Sequence, residues 1–194
     1  MASRKAHITR TTRETDIRLT LDPDAPLDGA ISTGVAFFDH MLQSMSFHGR
    51  FGLIVDARGD IAVDPHHLVE DVGLVLGQAF ASALSSGGAV ARFGHSVVPM
   101  DEALAEVTID VCGRPTLCLS ATFPQSHAGT FDLALLREFW NALCSEARIS
   151  LHVDIRRGVN GHHMAEASFK ALGRALREAY ASAGLEMSSK GRIG

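Results

Sequence analysis

A pattern of residue types typical of metal ligands, His-His-x-x-Glu, occurs twice in the chain, at 66–70 and again at 162–166. Imidazole nitrogens and carboxylate oxygens bind zinc, manganese, iron or nickel. Asp64 and Asn160 lie two residues before the patterns and favour the N-cap of a helix, which places each His pair in a first turn. Since helical residues are about 100° apart, the first His and the Glu share one face, while the second His points elsewhere. One match is weak evidence, but two at equivalent repeat positions predict that two such helices supply ligands to two metal ions.

The repeat extends beyond the His pairs. Residues 19–22 resemble residues 107–110, and glycines recur at the same spacing as the His pairs. This self-similarity indicates an internal duplication. We predict two α+β units, residues 1–88 and 89–194, each too small to bury both of its faces alone and therefore packed as one body.

Local patterns predict the elements that position these residues, because alternating polarity is typical of strands and 3.6-residue spacing is typical of helices. In the first unit we predict one strand at 7–22, a hairpin into 30–33, a helix from 34 to about 47, strands at 53–57 and 60–63, and a helix from 66 to about 84. In the second unit we predict strands at 104–111, 116–120 and 149–155, and helices at 131–144 and 162–183.

The duplication adds one candidate ligand to each His pair. His40 lies 26 residues before the first His pair, and Glu138 lies 24 residues before the second. Both residue types bind metals. The repeat and the helix geometry together predict two ligand sets, the first being His66, Glu70, His163 and Glu138, and the second being His162, Glu166, His67 and His40.

The composition limits the class of protein. Hydrophobic residues make up 46% and charged residues 21% of the chain, which is enough apolar material for a core. A net charge of -4 without a basic stripe argues against a nucleic-acid partner. The three cysteines are odd in number and lack metal-site spacing, which favours buried free thiols in a reducing compartment. The sequence shows neither the apolar core of a signal peptide nor an uncharged membrane-spanning run, so we expect a cytoplasmic protein without a membrane partner.

Other polar residues are weaker evidence by themselves. Glu14 is predicted on the polar face of the first strand, where a solvated charge is the simplest interpretation. Arg92 and Arg114 border turns, and Lys170 lies two turns after the second His pair. The Ser-Ser-Lys-Gly segment at 188–191 is typical either of a disordered end or of a phosphate-binding loop. On spacing alone, a two-metal hydrolase and a non-catalytic metal-binding or shell-forming protein both stay open.

Six motifs resemble the imidazoleglycerol-phosphate dehydratase family of histidine biosynthesis, in order and over nearly the whole chain. They are RTTRET at 10–15, FFDHML at 37–42, DPHHLVEDVG at 64–73, PMDEA at 99–103, GVNGHHMAEASFKALGRAL at 158–176 and SSKG at 188–191. The resemblance implies an α+β fold of two tandem homologous halves, each a four-stranded mixed sheet with two helices. The four helices are then sandwiched between the two sheets.

The resemblance also implies a dinuclear manganese site, with two Mn²⁺ per active site, although other divalent metals are compatible with the ligands. The matching ligands are His40, His66, His67, Glu70, His162, His163 and Glu166. Several relatives carry a His where this chain has Glu138, and a Glu is still able to bind manganese. Family members assemble into a shell of 24 subunits, in which neighbouring subunits complete each site.

The activity implied is the conversion of D-erythro-imidazoleglycerol phosphate to imidazole-acetol phosphate and water, with the ring held by the two metals as an imidazolate. Glu14 matches the residue expected to perform acid–base catalysis and to contact the substrate. The other substrate-binding residues implied, mostly for the phosphate, are His48, Arg92, Arg114, Lys170, Ser188, Ser189 and Lys190.

Overall fold

The first half of the chain forms a mixed sheet and two helices. Ile17, Leu19 and Leu21 alternate with polar residues and are buried, so one face of the sheet packs on the core. The computed structural model describes residues 3–184. Its first-half elements are β1 (Ala6–Thr11), β2 (Thr15–Asp22), β3 (Ile31–Ser32), α1 (Ala36–Gly49), β4 (Gly52–Gly59) and α2 (His66–Gly87). The sheet order is β1-β2-β4-β3, with β3 parallel to β4 and the other pairs antiparallel.

The second half repeats this arrangement. Its elements are β5 (Phe93–Met100), β6 (Ala103–Asp110), β7 (Thr116–Ser120), β8 (His127–Ala128), β9 (Phe131–Asp132), α3 (Leu135–Ala147), β10 (Ser150–Arg157) and α4 (Gly161–Ala179). The sheet order is β5-β6-β10-β7, and β7 is parallel to β10 while the other pairs are antiparallel. The same order with the same parallel edge confirms the prediction of two homologous α+β halves with four-stranded mixed sheets. The β8–β9 hairpin has no counterpart in the first half among residues 3–184.

Equivalent residues in the two halves can be read from the elements. Strands β2 and β6 end 88 residues apart, at Asp22 and Asp110, while β4 and β10 begin 98 residues apart. Helices α1 and α3 both end at a left-handed arginine, Arg50 with φ 54° and Arg148 with φ 53°, again 98 residues apart. His40 and Glu138 are separated by the same 98 residues. They therefore occupy equivalent positions on equivalent helices.

The helices form the layer that joins the halves. Helix α1 packs against α4, and α2 packs against α3, so each helix pair takes one member from each half. Glycines permit the close approach: a Cβ on Gly77 would lie 2.7 Å from the Leu143 carbonyl oxygen, and one on Gly173 would clash with the Met45 carbonyl. Helix α2 also lies on the first sheet and α4 on the second, which gives one continuous core between the sheets.

Several predicted elements differ from the structure. The strand predicted at 7–22 is two antiparallel strands, because the Thr12 hydroxyl accepts the backbone N–H groups of Glu14 and Thr15 and closes a turn. Residues 60–63 form a turn instead of a strand. The predicted hairpin into 30–33 is wrong, since β3 pairs in parallel with β4.

In the second half, β7 similarly pairs in parallel with β10. Strand β5 and the β8–β9 hairpin were absent from the prediction, and α3 begins at Leu135 instead of 131. Cys112 and Cys144 are buried free thiols, whereas Cys118 is a free thiol on the exposed side of β7. The prediction of buried thiols is therefore wrong for Cys118.

Helix α2 is long and apolar enough to cross a membrane by length and composition alone. It carries Glu70 and Asp71 near its start, and most of its apolar stretch is buried inside the fold. Asp71 accepts a hydrogen bond from the Thr15 hydroxyl and forms an ion pair with Arg10, both in the first sheet. These contacts are typical of a core helix.

Candidate metal centre

Three predicted ligands meet where α1 packs against the start of α4. The His40 Nε2 lies 3.3 Å and the His162 Nε2 3.2 Å from the Glu166 Oε2. One ligand atom from each residue lies within 4.8 Å of the others. Two imidazoles and one carboxylate fit a divalent transition metal such as manganese, and the exposed sides of both imidazoles leave room for further ligands.

Helix geometry brings His162 and Glu166 together as predicted. The Asn160 side chain caps α4 by accepting the backbone N–H of His162 at 2.9 Å. At the first His pair, the Asp64 carboxylate accepts the N–H of His66 at 2.7 Å in the same way, although the N-cap position itself is Pro65. Both His pairs therefore lie in a first helical turn.

Glu166 is buried and fully paired. Its Oε1 accepts from Lys170 Nζ at 2.9 Å and from the Ser44 hydroxyl at 3.3 Å, while Oε2 faces the two imidazoles. Burial raises the pKa of Glu166, but the hydrogen bond and charge of Lys170, together with His40, outweigh burial and lower the pKa to about 2. The carboxylate is therefore ionised at neutral pH and suited to bind a cation.

Cationic side chains follow the cluster along α4. Lys170 and Arg174 come one and two turns after Glu166, and half-buried His48 at the end of α1 lies near both. Burial, reinforced by the charges of Lys170 and Arg174, lowers the pKa of His48. A cavity of about 780 Å³ opens beside Gln43, His48 and Arg174. This end of the site suits an anionic group.

The equivalent positions of the first His pair are more open. The His66 Nε2 lies 3.7 Å from the Glu70 Oε2. Glu138 is half-buried in the first turn of α3, at the position that corresponds to His40. Among residues 3–184, His66, Glu70 and Glu138 do not converge to metal-ligand distance within one chain.

The second His of each pair points away from the first. The ring planes are inclined by 81° at His66 and His67 and by 86° at His162 and His163. In the described part of a single chain, His67 and His163 lie outside the cluster formed by His40, His162 and Glu166. Each of the two has carboxylate partners of its own.

For His67 these partners are Asp60 and Glu14. The His67 Nδ1 lies 3.1 Å from Asp60 Oδ2 and 3.8 Å from Glu14 Oε2. The hydrogen bond to Asp60 raises the pKa of His67. Glu14 is exposed, in the β1–β2 turn and not on a strand face as predicted, and its backbone carbonyl accepts the Asp60 N–H. It lines a shallow cavity of about 390 Å³.

For His163 the main partner is Glu102. The His163 Nδ1 lies 2.8 Å from Glu102 Oε2, while Glu102 Oε1 accepts the backbone N–H groups of Val159 and Asn160. The hydrogen bonds from His163 and Val159 lower the pKa of Glu102 to about 2. The hydrogen bond between His163 and Glu102 in turn raises the pKa of His163.

Sequence reasoning did not select Asp60, Ser44 or Glu102. Ser44 and Glu102 meet partners distant in sequence, whereas Asp60 meets His67 through the fold of the turn between them. A signal existed for Glu102 alone. It lies 88 residues after Glu14, the spacing that relates β2 to β6.

Arg92 and Arg114 lie at the opposite end of the second half from His162. The Arg92 guanidinium donates two hydrogen bonds to Asp110 at the end of β6. The backbone N–H of Arg92 donates to the Ala179 carbonyl at the end of α4. The length of α4 places that end about 25 Å from His162. Within one chain these arginines do not reach the cluster. Ser188, Ser189 and Lys190 lie outside the described residues.

Comparisons with known proteins agree along the chain. A model of the imidazoleglycerol-phosphate dehydratase family matches residues 33–176. The chain is 52% identical over 176 residues to the imidazoleglycerol-phosphate dehydratase of Bacillus velezensis, with 91% of each chain covered. It is 47% identical over 195 residues to that of Herminiimonas arsenicoxydans, with 98% of each chain covered.

Solved structures show the same fold. The crystal structure of imidazoleglycerol-phosphate dehydratase from Staphylococcus aureus gives a TM-score of 0.84 at 37% identity, covering 92% of this chain and 99% of that chain. The enzyme from Pyrococcus furiosus gives 0.86 at 35% identity, with 95% and 99% covered. These relatives argue against the hydrolase and non-catalytic alternatives, because they are named dehydratases. The chain belongs to the imidazoleglycerol-phosphate dehydratase family, a family of hydro-lyases in histidine biosynthesis.

Proposed function

We propose that the chain catalyses the dehydration of D-erythro-imidazoleglycerol phosphate to imidazole-acetol phosphate in the cytoplasm, at a site holding two divalent cations, most naturally Mn²⁺. The observation that carries the proposal is the cluster of His40, His162 and Glu166, with Lys170 one helical turn beyond it. The Lys170 ammonium lies 2.9 Å from the Glu166 carboxylate, so a cation that can bind the substrate phosphate adjoins the residues that can hold a metal ion.

The ligands fall into the two sets that the duplication predicts. His40, His162 and Glu166, joined by His67, would hold one cation, while His66, Glu70 and Glu138, joined by His163, would hold the other. Two bound cations would lower the pKa of the imidazole ring, and the electron density of the resulting imidazolate would assist departure of the hydroxyl group on the carbon attached to the ring.

The chain's own residues carry the remaining steps. Lys170 and His48 bind the phosphate by charge-assisted and neutral hydrogen bonds, aided by Arg92 and Arg114 of another copy and by Ser188, Ser189 and Lys190. Glu14 removes the proton from the carbon next to the one that loses the hydroxyl, and the resulting enol tautomerises to the ketone of the product. The departing hydroxyl and one proton leave as water.

The proposed active unit is a homo-oligomer, a shell of 24 copies. Its support is the separation of about 25 Å between the arginines at the end of α4 and the cluster at its start. A substrate of small-molecule size cannot span that distance. Residues at the two ends are then shared between neighbouring subunits of a symmetric assembly.

The experiment that tests the proposal is turnover of imidazoleglycerol phosphate by metal-stripped protein, before and after reconstitution with Mn²⁺. Product should form only after reconstitution. Absence of product from fully metallated, assembled protein would refute the proposed activity.

A further inference from the structure

In each His pair, one carboxylate is hydrogen-bonded to the Nδ1 of the second His. Asp60 lies 3.1 Å from the Nδ1 of His67, and Glu102 lies 2.8 Å from the Nδ1 of His163. Both imidazoles therefore donate Nδ1–H to a carboxylate, which leaves the Nε2 lone pair directed away from it. Neither carboxylate belongs to the ligand sets described above.

The duplicated fold shows that these two carboxylates arose at different positions. Glu102 lies 88 residues after Glu14 and occupies the same turn of the second half. Asp60 corresponds, at the 98-residue spacing of β4 and β10, to Gly158, which has no side chain to offer. In the second half the turn glutamate holds the imidazole, whereas in the first half Asp60 does so and Glu14 stays 3.8 Å away.

We propose that Asp60 and Glu102 are positioning residues, which fix the tautomer and direction of His67 and His163 so that each Nε2 is presented to a divalent cation. By holding His67, Asp60 also leaves Glu14 free for proton transfer. This inference rests on the metal site of the proposed function. A carboxylate behind a ligating imidazole fixes its orientation, and removal of such partners typically weakens metal binding about 10- to 100-fold.

The geometry predicts that Glu102→Gln weakens metal binding whereas Asp60→Asn does not. In Glu102→Gln the amide oxygen must stay on the backbone N–H groups of Val159 and Asn160, so the amide nitrogen faces His163 Nδ1. That nitrogen donates, which forces the ring proton onto Nε2 and blocks the metal. Both oxygens of Asp60 face His67, at 3.1 and 3.3 Å, so Asp60→Asn can still present an oxygen.

The experiment is a titration of full-length metal-free protein with Mn²⁺, with free Mn²⁺ measured by electron paramagnetic resonance and thermal melting measured without metal. Glu102→Gln and Asp60→Ala should each lower the affinity for one of the two Mn²⁺ ions about 10- to 100-fold. Asp60→Asn should keep the Mn²⁺ affinity within a few-fold of that of the original chain. Glu106→Gln is the matched control. The Glu106 carboxylate lies 2.8 Å from His95 Nε2, and neither residue belongs to the proposed ligand sets. This substitution should leave Mn²⁺ affinity unchanged.

A double substitution separates positioning from mere structural support. If Glu102 acts through His163, Glu102→Gln should not weaken Mn²⁺ binding further in a His163→Asn background. Lower melting of the metal-free protein with unchanged Mn²⁺ affinity in Glu102→Gln and Asp60→Ala would overturn the inference and leave the proposed function intact. If the original chain binds no Mn²⁺, the metal site of the proposed function itself fails.

Discussion

Two glutamates at equivalent turns are engaged very differently. The Glu102 carboxylate accepts from the imidazole of His163 and from two backbone N–H groups, whereas the Glu14 carboxylate is exposed and 3.8 Å from His67. A general base needs a lone pair that is free when substrate arrives. The duplication therefore supplied one carboxylate suited to structure and one suited to proton transfer.

Substitution of Glu14 tests its assigned role. Glu14→Gln removes the basic oxygen but keeps the shape of the side chain, so kcat should fall by about 10²- to 10⁴-fold. The Mn²⁺ content should stay unchanged, because Glu14 belongs to neither ligand set. The measurements are steady-state turnover of imidazoleglycerol phosphate and metal analysis, with Glu146→Gln as a control at the α2–α3 contact, where half-buried Glu146 accepts a hydrogen bond from Gln78. A kcat near that of the original chain would remove Glu14 from the mechanism.

The sequence is informative at residue scale where contacts are local. His162 and Glu166 are four residues apart on a helix, so their meeting follows from helix geometry, and Asn160 could be predicted as the cap for a similar reason. The contact between Asp60 and His67 depends on how a turn folds beside a helix. No periodicity encodes such a contact, which is why Asp60 was not predicted.

At the scale of elements, the two helix pairs depend on glycine. Gly77 and Gly173 are equivalent, and their neighbours Leu143 and Met45 are equivalent too, at the 98-residue spacing of α1 and α3. The same close approach therefore occurs in both pairs. At the α1–α4 pair it brings together the helices that carry His40 and Glu166, so the geometry of these two candidate ligands depends on this packing.

A methyl group at Gly173 should separate α1 from α4. Because the atom it would meet is a backbone oxygen of Met45, the helices themselves must move. We expect Gly173→Ala to lower the free energy of unfolding by about 1–3 kcal/mol and to weaken Mn²⁺ binding. Urea unfolding and metal titration are the measurements. Gly184→Ala, where a Cβ meets nothing within 4 Å, is the control. Equal stability of the two variants would contradict close packing here.

Elements were predicted well where a hydrophobic periodic pattern extends over many residues. Helices α1, α2 and α4 lie within a few residues of their predicted limits, because each has an extended apolar face. Strand pairing was the main failure. The parallel edge strands β3 and β7 pair with strands distant in sequence, and alternation specifies a face but not a partner. The division at residues 88 and 89 stays a prediction.

At the scale of the molecule, the N-terminal segment connects the two halves. Buried Arg4 donates to the Tyr180 carbonyl at the end of α4 and pairs with Asp24 after β2. The hydrogen bond from Arg4 lowers the pKa of Asp24, whose burial opposes this effect. A lowered pKa in the folded state contributes stability above the usual value of 3.8, and this stability is lost as pH falls through the folded pKa.

Asp24→Asn should therefore lower the melting temperature at pH 6. The free energy of unfolding should fall by about 1 kcal/mol or less, because the Asp24 carboxylate is half exposed and screened by water. The difference from the original chain should shrink as the pH falls below 3.8. Thermal melts across this range are the measurement. A difference that is the same at every pH would mean that the ion pair is not the cause.

The proposed sharing of sites between subunits can be tested with assemblies that mix two inactive variants. His162→Asn removes a ligand at the start of α4, and Arg114→Ala removes an exposed cation beyond the far end of β6, so each variant alone should be inactive or strongly impaired. Co-expression with two affinity tags yields mixed assemblies. If each site takes His162 from one copy and Arg114 from another, random 1:1 mixing restores both residues in roughly a quarter of the sites.

Turnover by doubly tagged assemblies should therefore reach roughly a quarter of the original activity, far above either variant alone. Separately assembled variants mixed afterwards should stay inactive, which controls for trace contamination. Equal inactivity of co-expressed and separately mixed material would mean that one chain supplies both residues. That result would conflict with the length of α4, which keeps the two ends about 25 Å apart within a subunit.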